Sequence, residues 1–130
     1  MKYLLDTHIF IWSAMSDHKL SRQVKDILEG TSEINVSLVT LWEISLKFGL
    51  GKLELQGSNP EKFWQDSRKM DYKLLALKFE EAVSFHHLPR EHNDPFDRML
   101  VWQAIRNDMT FISNDTKLDA YQKFGLKIIR

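Results

Sequence analysis

Short apolar runs of strand length alternate along this chain with stretches whose apolar residues recur at helical spacing, and that alternation predicts a parallel α/β sheet. Tyr3-Leu4-Leu5 is the first strand, and its lack of polar alternation predicts burial on both faces. A helix over His8–Ala14 follows Asp6 and Thr7. A second helix spans Leu20–Glu29, with Ser21 near its start and Gly30 as its C-cap. Glu33-Ile34-Asn35-Val36 is the second strand. Ser37 then caps a helix through Lys47 that stops at Gly49-Leu50-Gly51. Ser58-Asn59-Pro60 opens a further helix, with Pro60 in its first turn. Lys73–Leu77 reads as the third strand, Phe79–His87 as a helix and Pro89–Asp94 as a polar loop. Pro95–Asn107 is a helix that is apolar nearly all round and therefore predicted to be buried. Thr110–Ser113 and Leu126–Ile129 are the fourth and fifth strands, with a short helix between them.

Five strands joined by helical crossovers predict a three-layer α/β/α sandwich with a five-stranded, mainly parallel sheet, as a single domain over residues 1–130. In such a sheet ligands bind beyond the carboxyl ends of the strands, where strand order reverses. Asp6 follows the first strand and Asp115 follows the fourth, so both fall at that edge. Either alone suits a helix N-cap; the two together, on strands this topology makes neighbours, point to function. In Asp94-Pro95-Phe96-Asp97, Asp94 fits the N-cap and Asp97 the third helical position, where acidic groups are favoured electrostatically. Asp97 is the better placed of the two to look inward. Glu43 falls with Thr40 and Lys47, opposite Leu38, Leu41, Trp42, Ile44 and Phe48. Periodicity therefore sets it in solvent, paired with Lys47 at i,i+4, unless that polar side lines a cleft.

Composition narrows the chemistry. Hydrophobic residues make up 43% and charged residues 28% of the 130, an ordinary globular balance. There is no cysteine, which excludes disulfides and cysteine-held zinc or iron–sulfur sites. Lys+Arg and Asp+Glu both number 18, so bulk charge does not attract nucleic acid; a local patch or a metal ion has to. No apolar run is long enough for a membrane span or a signal peptide's core, and the expected location is the cytoplasm. Several convergent carboxylates repel one another unless a cation stands between them. Magnesium and manganese prefer such oxygen ligands, and phosphodiester hydrolysis is the chemistry they best suit there.

Leu4-Leu5-Asp6-Thr7-His8, Trp42-Glu43-Ile44 with Lys47 and Gly51-Lys52-Leu53, His92 through Leu100 with Gln103-Ala104, and Ser113-Asn114-Asp115 together resemble a PIN domain. The subgroup they are similar to is the VapC-type toxins of type II toxin–antitoxin systems. The resemblance spans nearly the whole chain, and Asp94-Pro95-Phe96-Asp97-Arg98 is its most specific segment. It implies a Mg2+- or Mn2+-dependent endoribonuclease, with Asp6, Glu43, Asp97 and Asp115 as the metal-holding catalytic acids and no covalent intermediate. It adds Asp94, Thr7, Ser113 and Asn114 as further site residues, and Arg98, Lys47 and His92 as substrate contacts. It also implies an RNA substrate, a homodimer and a cognate antitoxin protein. His8 and Ser113 depart from the family's frequent Asn and Thr, which touches fine geometry but removes no carboxylate.

Other features weigh less. His86, His87 and His92 match no zinc spacing on one element and read as surface loop. Arg98, Lys47 and Lys52, taken singly, are ordinary helix-end or surface charges. Trp42 and Trp102 read as core or near-core, whereas Trp12 and Trp64 are the better candidates for an interface. Two rival functions remain. A phosphotransfer protein of the haloacid-dehalogenase type lacks its Asp-x-Asp here, because His8 takes the second place. A catalytically inactive PIN-like module that binds RNA or protein is opposed by the presence of all four acids.

Overall fold

The computed structural model describes residues 1–130. Its strands are β1 (Lys2–Leu5), β2 (Glu33–Ser37), β3 (Lys73–Leu75), β4 (Thr110–Ile112) and β5 (Lys127–Ile129). They form one sheet in the order β3-β2-β1-β4-β5, with every pairing parallel. The α-helices are α1 (Thr7–Met15), α2 (Arg22–Glu29), α3 (Leu38–Gly49), α4 (Pro60–Ser67), α5 (Phe79–Ser84) and α6 (Pro95–Arg106). Short 3-10 turns lie at Asp17–Lys19, Arg68–Met70 and Phe85–His87, and a longer 3-10 segment runs over Thr116–Phe124.

The strands show why the fold has three layers. Successive side chains on a strand point to opposite faces. Tyr3 and Leu5 of β1 join Ile34 and Val36 of β2 in one apolar cluster, beneath Ile9 and Phe10 of α1, Val24 of α2 and Phe63 of α4. Leu4 and Phe111 face the other way, against Leu100, Val101 and Ala104 of α6 and against Leu118 and Tyr121. The central strand is thus dry on both sides, as its unbroken apolar run predicts.

Local signals set the helix boundaries. Ser21 accepts a hydrogen bond from the Val24 N–H, Ser37 from Val39 and Asn59 from Lys62, each as an N-cap, and Pro60 takes the first helical position of α4. Gly51 has φ of +71°, a left-handed conformation that suits glycine where the chain leaves α3. Three expectations need correction. β3 ends at Leu75, because the Ala76 carbonyl accepts from the Gln103 side chain and leaves the ladder. The helix expected through His87 is α-helical only to Ser84 and then tightens into a 3-10 turn. α6 is fully buried only at Leu100, Val101, Gln103 and Ala104 rather than all round.

The strand order reverses at β1: the chain moves outward to β2 and β3, then returns to the opposite side of β1 for β4 and β5. The switch point is therefore the crevice between the carboxyl ends of β1 and β4. Those ends are joined by a 2.9 Å hydrogen bond from the Asp6 N–H to the Ile112 carbonyl.

Candidate metal centre

Three helix N-termini converge on the switch point, and each is capped by an aspartate. Asp6 caps α1 through Oδ1, which accepts the Thr7 N–H at 2.7 Å. Asp94 caps α6 through Oδ1, which accepts from Phe96 and Asp97 at 2.8 and 3.2 Å. Asp115 caps the 3-10 segment through Oδ1, which accepts the Lys117 N–H at 3.0 Å. The capping and functional readings of these residues are therefore compatible. One oxygen of each serves the cap, and the partial positive charge of the helix start favours the anion.

The second oxygens of Asp6 and Asp115 have separate partners. Asp6 Oδ2 accepts the Ser113 hydroxyl at 2.6 Å across the β1–β4 seam. Asp115 Oδ2 lies 3.1 Å from His92 Nε2. The His92 Nδ1 accepts the Asp94 N–H at 3.0 Å, so the ring proton resides on Nε2 and points at Asp115. With its Nδ1 lone pair engaged in this way, His92 acts as a hydrogen-bond donor to a carboxylate rather than as a metal ligand.

Glu43 overturns the periodicity reading. It is 2% exposed, and Thr40 beside it is buried as well, whereas Trp42 is 62% exposed. The buried face of α3 is Val39, Thr40, Glu43 and Ile44. Its polar side lines the cleft at the strand ends, while Leu38, Trp42 and Leu46 stand in solvent. Glu43 Oε1 accepts the Thr7 hydroxyl at 2.7 Å, and Thr7 also lies 3.2 Å from the Thr40 hydroxyl. The other oxygen, Oε2, accepts from Lys47, the i,i+4 partner expected from the sequence.

Asp97 is where the cluster meets. It joins Glu43 and Asp94 in one group of donor atoms lying within 4.8 Å of one another, and His92 and Asp115 in a second. Burial pushes its carboxyl up to about 8, with the charges of Asp6, Asp94, Glu43 and Asp115 adding to the rise. Burial also raises Asp6 above its ordinary range, against the lowering effect of the Ser113 and Thr7 hydrogen bonds. Burial alone would lower Lys47; its hydrogen bond to Glu43 and the charges of Glu43, Asp94 and Asp97 outweigh it and hold the ammonium above its ordinary value. The donors facing the cleft are carboxylate oxygens, and burial together with the neighbouring acids keeps the proton on one of them to about pH 8. That set fits a hard divalent cation and suits neither a thiophilic nor an imidazole-bound metal.

The remaining predicted residues fall unevenly. Thr7 and Ser113 are buried beside the acids they hold, and Asn114 is exposed. Arg98 points away from the acids: it donates to the Leu88 carbonyl at 3.0 Å and lies 4.6 Å over the Phe85 ring. His86 and His87 are exposed and join no donor cluster. Trp42 is not core; it stands out from α3 and meets Phe96 edge to face at 5.0 Å. Trp12 and Trp64 instead pack on the cluster formed by α1 and α4. Trp102 is part-buried and donates to the Ser84 hydroxyl. A buried network of Ser37, Gln103, Glu81 and Asn107 had no signal in the spacing, since none of its members lies near another in sequence except Gln103 and Asn107.

Known proteins share this arrangement of elements. VapBC from Salmonella typhimurium, solved bound to DNA, is similar with a TM-score of 0.69 and 19% identity over 99% of this chain and 97% of that one. FitAcB from Neisseria gonorrhoeae is similar with a TM-score of 0.68 and 17% identity, over 98% and 96% of the two chains. A toxin-antitoxin complex from Klebsiella pneumoniae gives 0.62 and 15%, over 98% and 96%. No match was found among curated protein sequences. The PIN domain family model matches residues 3–123, so the chain belongs to the PIN domain family.

Proposed function

We propose that this protein is a metal-dependent endoribonuclease and the toxin of a toxin–antitoxin pair. The observation that carries the reading is the meeting of Asp6, Glu43, Asp97 and Asp115 at the switch point, with Asp97 pushed up to about 8 by burial and by its acidic neighbours. Charge of one sign is concentrated there in a chain of zero net charge, which is the electrostatic condition a divalent cation relieves. Membership of the PIN family supports nuclease chemistry. The solved toxin-antitoxin complex and the VapBC complex among the similar structures support an antitoxin partner.

Asp97, Asp115 and Asp6 would hold Mg2+ or Mn2+, with Glu43 and Asp94 at its flank. When bound, the ion supplies Lewis-acid charge to the scissile phosphodiester and a water acidic enough to attack it at neutral pH. The protein's own groups prepare the site. Thr7 and Lys47 fix both oxygens of Glu43, Ser113 turns Asp6, and His92 turns Asp115. The two cleft hydroxyls that meet carboxylates, Thr7 on Glu43 and Ser113 on Asp6, are buried donors that hold those acids, which supports metal-assisted hydrolysis over a covalent route. Lys47 and His92 would be the substrate contacts at the cleft, whereas the contacts of Arg98 support a role in holding the 88–94 loop. A homodimer has a ready surface. Apart from Met1 and Phe124, every large exposed apolar side chain lies between Leu38 and Val83, on α3 and its C-cap Leu50, β3, α5 and the 76–78 connection. No helix is long and apolar enough to cross a membrane.

The deciding experiment is cleavage of RNA by purified protein with Mg2+ or Mn2+, beside an EDTA control and an Asp6→Asn variant purified identically. Cleavage by the wild type alone, abolished by EDTA, supports the nuclease. Equal cleavage by both proteins, or by neither across transfer, ribosomal and messenger RNA, rejects it and favours an inactive PIN-like RNA- or protein-binding module.

A further inference from the structure

The acid cluster offers two cation positions that share Asp97. In one, Glu43, Asp94 and Asp97 converge; in the other, Asp97 and Asp115 converge beside His92. In each, the donor atoms lie within 4.8 Å of one another. Opposite oxygens of a Mg2+ shell stand roughly 4.2 Å apart at ordinary bond lengths, so either group is of the right size.

The two positions differ in what already occupies them. Lys47 follows Glu43 by one helical turn, and its Nζ is hydrogen-bonded to Glu43 Oε2. The same ammonium lies 6.0 Å from the ring centre of Phe96, on the first turn of α6 between Asp94 and Asp97, and it feels the charge of both aspartates. It is only a third exposed, so it is held in the cleft rather than waving in solvent. The second oxygen of Glu43 is already taken by the Thr7 hydroxyl. A metal ion entering here has to break the Lys47–Glu43 pair and remain beside a displaced positive charge. No lysine or arginine guards the other position, where the His92 ring points its Nε2 at Asp115.

We propose that the Lys47 ammonium is a built-in cation filling the Glu43–Asp94–Asp97 position, so that the protein takes up one divalent ion, on the Asp97–Asp115 side, and not two. This rests on the metal-nuclease reading above and refines it. Lys47 then sets the metal count, and it replaces the second ion with a fixed charge that no chelator removes.

The test counts Mn2+ by electron paramagnetic resonance, titrating the ion into wild type, Lys47→Met and Lys47→Arg, with circular dichroism to establish folding. The expected result is one Mn2+ per chain for wild type and Lys47→Arg. For Lys47→Met it is two, with the exchange-broadened signal of ions a few ångströms apart. Lys47→Gln, which keeps a donor for Glu43 without the charge, carries the same expectation as Lys47→Met and decides the matter if that variant does not fold. Two ions of similar affinity in the wild type, or one ion in every variant, overturns the proposal while leaving the metal site standing. No Mn2+ uptake by wild type overturns the metal-nuclease reading, and the proposal with it.

Discussion

His92 holds Asp115 by a hydrogen bond of 3.1 Å while its other ring nitrogen takes the N–H of Asp94, so one imidazole couples the start of α6 to the acid that follows β4. Hydrogen-bonded neighbours of metal ligands commonly contribute 10–100-fold to metal affinity. His92→Ala is expected to weaken Mn2+ binding about tenfold with an unchanged circular dichroism spectrum. His92→Asn, which retains a donor, should recover part of the loss. Isothermal titration measures both, and equal affinity in the wild type and the alanine variant would remove this role.

Asp97 sets the pH response of the metal-free protein. The folded chain keeps this proton to about pH 8, whereas the ordinary value is 3.8. Between those limits the folded state binds more protons than the unfolded one, so stability falls as pH rises through that window. The midpoint of thermal unfolding should drop by several degrees between pH 6 and pH 8.5 in EDTA. Excess Mn2+ should recover the drop, and Asp97→Asn should flatten it. Scanning calorimetry at matched ionic strength is the check, and a midpoint that climbs over this range would contradict the assignment.

Ser113 is buried, and its hydroxyl is both donor to Asp6 and acceptor of the Asp115 N–H. Ser113→Ala strips a buried carboxylate of a donor and should cost about 1–2 kcal/mol in urea denaturation. The same change leaves Asp6 raised further above its ordinary range, so Mn2+ uptake should require higher pH than in the wild type.

Gln103 is fully buried and ties together the Ser37 hydroxyl, the Ala76 carbonyl and the Glu81 carboxylate. Ser37 caps α3, the helix that carries Glu43, so this amide braces the site without touching it. Gln103→Leu should cost on the order of 2–3 kcal/mol, read by urea denaturation, because it deprives the buried Ser37 and Glu81 side chains, and the Ala76 carbonyl, of a partner at once.

The exposed apolar surface predicts self-association. Phe79→Glu together with Leu46→Glu, both away from the acids, should convert a dimer to a monomer in sedimentation velocity without changing the helical signal. A wild type that sediments as a monomer at tens of micromolar would dismiss this interface.

The sequence carried the switch point and the acids better than it carried the surface. Apolar runs placed β1, β2 and β4 because each is short and buried, and placed β5 through the half-buried pair Ile128 and Ile129; the Asp94-Pro95 pair located the start of α6 through capping chemistry. α3 defeated the same arithmetic. Periodicity turns Leu38, Leu41, Trp42, Ile44 and Phe48 inward, yet Leu38 and Trp42 lie outside while Thr40 and Glu43 turn to the cleft. Hydrophobic periodicity measures affinity for an apolar environment; it does not distinguish a core from an unpartnered face, nor water from a cleft rich in hydroxyls. Resemblance to a known family, not periodicity, singled out Glu43. The brace through Gln103 was invisible because it joins residues 66 positions apart by side-chain hydrogen bonds alone.

The hydrogen bond between Ser113 and Asp6 spans 107 positions of sequence. A ribosome makes the first of these residues long before the last, and β1 can gain its β4 neighbour only when most of the chain has emerged. Until then Asp6 lacks its hydroxyl partner, Asp115 does not exist, and the acids on α3 and α6 have no common centre. An unfinished copy of the protein therefore has no assembled acid centre: the four acids find one another only after β4 and Asp115 have been made.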